Sequence, residues 1–348
     1  MSGYDFKTIS KVEKDKLLSF YKIVFKDRYK ILFENQEWFY RLKDNNCEPI
    51  VLTTADKIIG QLGTIPIKVK INNKIKTACW YVDFAILPEF KGKGLGYKLA
   101  KEGMKKTDIQ LAFCNEQALK VYKRLDWSIN TSTKRLARPI NPIKWLPILS
   151  NSNSKIFKNF FNFSINKKLK DLNLIKPYTF KKNSKSFLDS FLKRKINEFN
   201  SLRFLRDEEW FNWRFVEFPF SENLLAFELN GNYIIAHSIK SKNIKRLHVI
   251  FHYYLNSSEE EKIYFLILKW AVENDFDLIW SCSVNQKLIH KIKTIFPKYL
   301  IKSMKIAVII TPEIAPVLPN SNVVTSALGI SATIPEKIIK EIPFPIPL

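Results

Sequence analysis

Apolar positions along this chain fall into two series of elements that share one order. In the first series Pro49–Thr53 is a short apolar run, and Lys57–Val69 and Lys74–Leu87 alternate or run apolar around the turn signal Asn72-Asn73. These predict three strands. A helix is predicted after Gly96, with Leu99, Gly103 and Met104 on one side, then a short apolar strand over Ile109–Cys114. Asn115 is placed to cap a further helix, in which Ala118, Leu119, Tyr122 and Leu125 repeat at helical spacing. The second series begins with two apolar runs in Asn223–Ile239 around Asn230-Gly231, a strong hairpin signal. Arg246–Leu255 reads as the third strand. Ser257 or Ser258, followed by three glutamates, opens a helix to Asn274. Leu278–Val284 reads as a strand, Gln286–Phe296 as a helix and Leu300–Ile310 as a final strand. Trp38-Phe39-Tyr40-Arg41 precedes the first series and Phe211-Asn212-Trp213-Arg214 the second at a similar distance. Order and echo together predict a duplication.

The boundaries follow: one unit over 1–130, a linking segment over 131–206, a second unit over 207–310 and a tail over 311–348. The tail holds seven of the 16 prolines and lacks any period long enough to pack, so it reads as extended or disordered. Composition (46% hydrophobic, 14% aromatic) supports real cores in both units. Charge changes the picture in one place. The chain carries a net +24, and segment 131–206 supplies 18 basic residues against three acidic ones. Uniform codon bias does not produce that unevenness. The stretch Lys155–Leu174 reads as one or two basic amphipathic helices. No apolar stretch reaches the roughly 20 residues of a membrane span, and no signal-peptide core opens the chain. Four scattered cysteines, without a CxxC pair, speak against a zinc site and a disulfide scaffold and fit a reducing cytoplasm.

The stretch Trp80–Trp127 carries the chemistry. An apolar strand runs to Pro88, then comes Lys91-Gly92-Lys93-Gly94-Leu95-Gly96, then a helix. Glycines between a strand end and a helix start let backbone N–H groups approach a pyrophosphate, and the helix N-terminus adds a favourable partial charge. A P-loop would need Lys-Ser or Lys-Thr after the glycines. A dinucleotide fold would place the glycines after its first strand, with an acidic residue ending the next. Neither pattern is present.

This stretch resembles the GNAT acyltransferase family. Lys91, Gly94 and Gly96 stand at the key positions of the family's coenzyme A loop, with Lys91 in place of the usual Gln or Arg. Asn115, Ala118, Tyr122 and Leu125-Asp126-Trp127 match its second signature, with Asp126 in place of Gly. The resemblance implies an α/β fold with a mixed central sheet flanked by helices, duplicated in a second GNAT-like unit. It implies acetyl-CoA or another acyl-CoA as co-substrate, no metal, and a coenzyme site drawn from Ile86, Leu87, Lys91, Gly92, Lys93, Gly94, Leu95, Gly96, Asn115 and Ala118. Tyr122 would protonate the departing thiolate, the alternative being a core aromatic. Asp83, a carboxylate among Val82, Phe84 and Ile86, would orient or deprotonate the acceptor amine, the alternative being a structural or outward-facing Asp. In the second unit the corresponding loop, Tyr254–Glu259, has no glycine and starts its helix with glutamates, which would repel a pyrophosphate. That unit is expected to have lost coenzyme binding and to shape the acceptor pocket, with Trp213 and Arg214 as candidates.

The expected function is N-acyl transfer to a primary amine such as an amino sugar. Two alternatives stay open: an aminoacyl-tRNA-dependent ligase of the tandem type, and a non-catalytic acyl-CoA-binding protein. The basic segment 131–206 sets Trp145, Phe157, Phe160, Phe161 and Phe163 among lysines. It could seat a cytoplasmic enzyme on an anionic inner membrane surface or at a lipid-linked glycan. Nucleic acid is the rival partner, and a solvated linker is the plain alternative.

Overall fold

The computed structural model describes residues 3–43, 47–55, 57–71, 74–130, 134–140, 176–192, 203–241, 244–254, 257–283, 300–303 and 305–310. The predicted helix Gln286–Phe296, the basic stretch Lys155–Leu174, the aromatics Trp145 to Phe163 and the tail all lie outside these residues.

The chain opens with β1 (Asp5–Thr8), then α1 (Lys14–Val24), α2 (Tyr29–Glu34) and α3 (Gln36–Tyr40), none of them anticipated from the sequence pattern. Next come β2 (Ile50–Thr53), β3 (Ile58–Ile71), β4 (Lys74–Ile86), α4 (Leu95–Gly103), β5 (Ile109–Cys114), α5 (Glu116–Lys123) and β6 (Ser128–Asn130). After β6 the chain runs through β7 (Lys134–Pro139), β8 (Tyr178–Thr179), the helix Phe180–Leu192 and β9 (Arg203–Phe204). The second series is β10 (Leu224–Leu229), β11 (Asn232–Ser241), β12 (Ile244–Tyr253), the helix Ser257–Glu273, β13 (Leu278–Ser283), β14 (Leu300–Ser303) and β15 (Lys305–Ile310). Asn230 and Gly231 both take positive φ, as a tight two-residue hairpin turn requires.

Two sheets result. The first runs β1-β2-β3-β4-β5-β15-β6, with β9 added beside β3, and the second runs β14-β7-β13-β12-β11-β10-β8. Both are mixed: β4 lies parallel to β5, β12 lies parallel to β13, and their other neighbours are antiparallel. Position by position the sheets correspond, and the correspondence exposes an exchange. After β6 the chain crosses to place β7 in the second sheet. After β14 it crosses back to place β15 in the first, between β5 and β6. The stretch Leu300–Ile310, read as one strand of the second unit, is therefore two strands in two sheets. Segment 131–206, which showed no clear strand by pattern, supplies β7, β8 and β9. Apolar alternation fixes which face a strand buries but not which sheet it joins.

Each half has its own core. In the first, Leu17, Phe20 and Tyr21 of α1 and Leu99 and Ala100 of α4 pack on β2–β5. In the second, Ile263, Ile267 and Leu268 pack beneath β11–β13, and the opposite face carries Phe211, Phe215 and Phe251. The aromatic echo is where the halves meet. The Trp38 and Trp213 rings stack at 5.8 Å, and each indole N–H donates to the other residue's carbonyl, at 2.7 and 2.8 Å. That reciprocity is what two copies of one element make across an approximate twofold axis.

The cysteine reading needs correction. Cys47 and Cys79 are joined as a disulfide with Cα atoms 6.7 Å apart, both fully buried, tying the loop after α3 to β4. They are 32 residues apart in sequence, and only the β3–β4 hairpin brings them together. Cys114 stands outside this disulfide and is partly exposed. No helix among the described residues is long and apolar enough to cross a membrane.

Candidate active site

β4 is the strand that makes the site. Its register against β3 slips between the pairs Gln61↔Ala85 and Gly63↔Val82, so two β4 residues, Asp83 and Phe84, stand opposite one. Asp83 takes the bulge conformation, with φ +47°. On the other edge, β4 pairs with β5 only through Cys79↔Gln110, Trp80↔Leu111 and Tyr81↔Ala112. Beyond Tyr81 the two parallel strands part. Ala85 and Ile86 then have partners in β3, and the backbone from Phe84 to Ile86 has an open edge toward β5.

A cavity of about 740 Å³ fills that opening. Phe84, Ala85 and Ile86 form one wall, and Asn115, Ala118 and Val121 of the β5–α5 arm form the other. Lys91, Gly92, Gly94, Leu95 and Gly96 form its end. Gly94 caps α4 with φ +71°, and a Cβ built there meets nothing within 4 Å, so any side chain would project into open space from a strained backbone. The helix N-terminus thus presents bare N–H groups to the cavity. Asn115 caps α5, its side-chain oxygen accepting from the Ala118 N–H at 2.8 Å. The charged lining residues among those described, Lys26, Lys91, Lys120 and Arg124, are all basic.

Eight of the ten coenzyme residues expected from the sequence border this cavity. The other two do not. Leu87 is buried and donates its N–H to Ile59 O at 2.8 Å, and Lys93 lies over the Phe90 ring at 4.9 Å. Tyr122 is fully enclosed one layer behind the wall. Its ring stacks on Trp127 at 4.4 Å and lies 6.0 Å from Phe84. Burial first, then Cys114 and Tyr81, push its hydroxyl well above the usual phenol range.

Asp83 faces the helical side. Its Oδ2 accepts from the Tyr40 hydroxyl at 3.1 Å, and its Oδ1 is ion-paired with Arg28 from the turn between α1 and α2. Tyr40 in turn accepts from Gln61 Nε2 at 2.9 Å. Gly63 makes this possible: a Cβ there would stand 2.8 Å from the Tyr40 ring and 2.8 Å from Val82 O. Burial, then the Asp83 charge, hold the Tyr40 hydroxyl well above its ordinary value. The sequence reading missed Arg28 and Gln61 altogether, and noticed Tyr40 only as part of the aromatic echo.

In the second half Trp213 borders a separate cleft of about 390 Å³ with Trp38, Arg41 and Glu209. Arg214 is buried, and that burial lowers its guanidinium to about 9. β12 repeats the bulge, slipping between Ile235↔Phe251 and Ala236↔Val249, and its pairing with β13 ends at His248↔Trp280. The opening is used differently there. Tyr254 is buried and stacked on His252 at 5.1 Å, and Glu259 accepts from Asn232 at 3.3 Å.

Residues 5–130 match the family model described as an acetyltransferase (GNAT) domain. The family match thus covers residues 5–130, the first of the two units. The second repeats its fold, and solved structures share the arrangement over most of the chain. A probable N-acyltransferase of unknown function from Enterococcus faecalis is 11% identical, with 88% of this chain and 72% of that one covered and a TM-score of 0.54. A GCN5-related N-acetyltransferase from Kribbella flavida is 10% identical, covering 87% and 71%, at 0.53. Saccharomyces cerevisiae N-myristoyltransferase with bound myristoyl-CoA is 11% identical, covering 89% and 83%, at 0.55. At these identities the likeness is one of fold. Among curated protein sequences none matches. The GNAT half holds the glycine loop and the opening in its sheet; the GNAT-like half lacks the glycines.

Proposed function

We propose that this protein is an acyl-CoA-dependent N-acyltransferase that moves an acyl group, most simply acetyl, to the primary amine of a small acceptor such as an amino sugar. The observation that carries the reading is the opening between β4 and β5, with a glycine-rich helix start at one end and only basic charges among its described lining residues. A coenzyme's phosphates suit the helix start and the lysines. Its extended, amide-bearing arm suits the unpaired edge of Phe84–Ile86. The residues present therefore fit the co-substrate.

In this reading the amine nitrogen attacks the thioester carbonyl, whose developing oxyanion is met by strand amides. The carbon–sulfur bond then breaks, and the leaving thiolate takes a proton. Tyr122 is assigned as the donor. Burial keeps its proton in place at neutral pH, and its ring lies 6.0 Å from that of Phe84, which lines the cavity. The proton lost by the amine passes to Asp83, directly or through solvent. The second half, without glycines at its helix start, holds the first half in shape and contributes to the acceptor side.

The test is a thiol-release assay with acetyl-CoA and longer acyl-CoAs across a panel of amines. Acetyl-dependent thiol release that requires an amine supports the reading. Coenzyme binding without any amine-dependent release would leave a binding protein instead. The basic segment 131–206 is proposed, from its charge alone, to rest on an anionic membrane surface. Salt-sensitive sedimentation with anionic but not neutral vesicles supports this, and no sedimentation removes it.

A further inference from the structure

In the acyltransferase reading the acceptor amine meets Asp83, and the two members of the Arg28–Asp83 pair are held very differently. Asp83 is fixed: it lies on the bulge of β4, its side chain is 12% exposed, and Tyr40, itself anchored by Gln61, donates to one carboxylate oxygen. Arg28 is movable. It comes from a short turn, its side chain is 35% exposed, and its other described contact is a cation–π stack over Phe25 at 5.4 Å. The same segment of chain also borders the coenzyme cavity, through Ile23, Val24 and Lys26. Asp83 immediately precedes Phe84–Ile86, which form the cavity wall. The ion pair therefore stands at the junction between the coenzyme opening and the helical side of the sheet.

An incoming ammonium has one described carboxylate to meet there, and that carboxylate already carries a guanidinium. A plain amine would set two like charges on one partly buried acid, and they repel over a few ångström. Displacing Arg28 outright would instead trade one charge-assisted hydrogen bond for another, with no net gain. An acceptor that carries its own anion close to its amine avoids both costs. Its ammonium takes the Asp83 oxygen that Arg28 occupied, and its anion takes the guanidinium, which swings outward on its exposed side. One ion pair becomes two. Arginine's planar fork matches a carboxylate or phosphate in two hydrogen bonds, which a lysine cannot reproduce.

We propose that the acceptor is a zwitterion, an amine with a carboxylate or phosphate a few bonds away, read by Asp83 at the ammonium and by Arg28 at the anion. This rests on the acyltransferase reading and narrows its acceptor from any small primary amine to one that also carries an anion, such as an amino acid or a phosphorylated amine.

The experiment measures kcat/KM with saturating acetyl-CoA for α- and β-amino acids, their amides, the matching alkylamines, phosphoethanolamine, ethanolamine and glucosamine. The anion-bearing amines are expected to exceed their neutral counterparts by about 10–100-fold, the range of one charge-assisted contact. Carboxylate and phosphate arms tell which anion is read. In Arg28→Gln that ratio collapses toward unity, mainly through KM for the anionic acceptors. Arg28→Lys keeps part of it, because charge survives without the fork. Calorimetric affinity for acetyl-CoA shows whether each variant still folds around its coenzyme. Glucosamine or alkylamines preferred over zwitterions would overturn the proposal, as would an unchanged ratio in Arg28→Gln. If acetyl-CoA binds and no amine in the panel is acylated, the zwitterion proposal falls while coenzyme binding stands. If acetyl-CoA does not bind at all, both readings fall.

Discussion

Acidification from pH 7 to pH 5 should weaken folding by about 2 kcal/mol for each of two histidines. His237 on β11 and His248 on β12 are cross-strand partners, and each is 6% exposed. Burial lowers both to about 4, with Arg214 adding to the effect at His237, and Arg246 and His237 adding to it at His248. In the unfolded chain an imidazole titrates near 6.5. Below that value the unfolded state binds more protons than the folded state, so the stability these residues contribute is present at neutral pH. It is lost as pH falls from about 6.5 toward 4. A depression of about 2.5 pH units corresponds to about 3 kcal/mol per residue when fully expressed, and about 2 of that is gone by pH 5. Glu89 and Glu209 are held below the usual carboxylate range, so their losses begin at lower pH. Urea unfolding at pH 7, 6 and 5 reads the slope. His237→Asn and His248→Asn should each be less stable at pH 7 but lose less on acidification. A flat profile between pH 7 and 5, or variants that keep the full slope, would refute the assignment.

Tyr122→Phe keeps the stack on Trp127 and removes the hydroxyl. Turnover should fall about 10²–10⁴-fold with coenzyme affinity nearly unchanged, and turnover within twofold of wild type would leave Tyr122 a core residue. Gly63→Ala puts a methyl group 2.8 Å from both the Tyr40 ring and Val82 O. A loss of about 1–3 kcal/mol in urea unfolding is expected, and unchanged stability would contradict the tight bulge. Reducing the Cys47–Cys79 disulfide frees a loop whose ends are 32 residues apart. By loop entropy it should cost about 3–4 kcal/mol, read as a lower melting temperature in dithiothreitol, and an unchanged midpoint would contradict a stabilising bond.

Period and capping made the first unit readable. β5 and α5 fall where Ile109–Cys114 and the Asn115 cap put them, and Asn230-Gly231 makes the predicted hairpin. The glycine loop was legible because its chemistry is local in sequence. The Arg28–Tyr40–Asp83 cluster was not. It draws on a helix turn, a helix end and a bulge 55 residues from the first of them, and no local pattern registers that convergence. The bulge was hidden as well, since the phase shift made by one extra residue leaves no trace in the nearly continuous apolar run around Asp83. The exchange of β7 and β15 was invisible for a related reason: each is a short run whose partner sheet is chosen by topology.

Isothermal calorimetry of acetyl-CoA against the full-length protein and its Gly94→Glu variant tests the central claim most directly. The substitution would carry a carboxylate into the cavity at the start of α4, where the coenzyme's pyrophosphate is placed. The account predicts saturable binding to the wild-type chain and none detectable in the variant, with both proteins unfolding cooperatively. Equal affinity in the two, or no binding to the wild type, would contradict it.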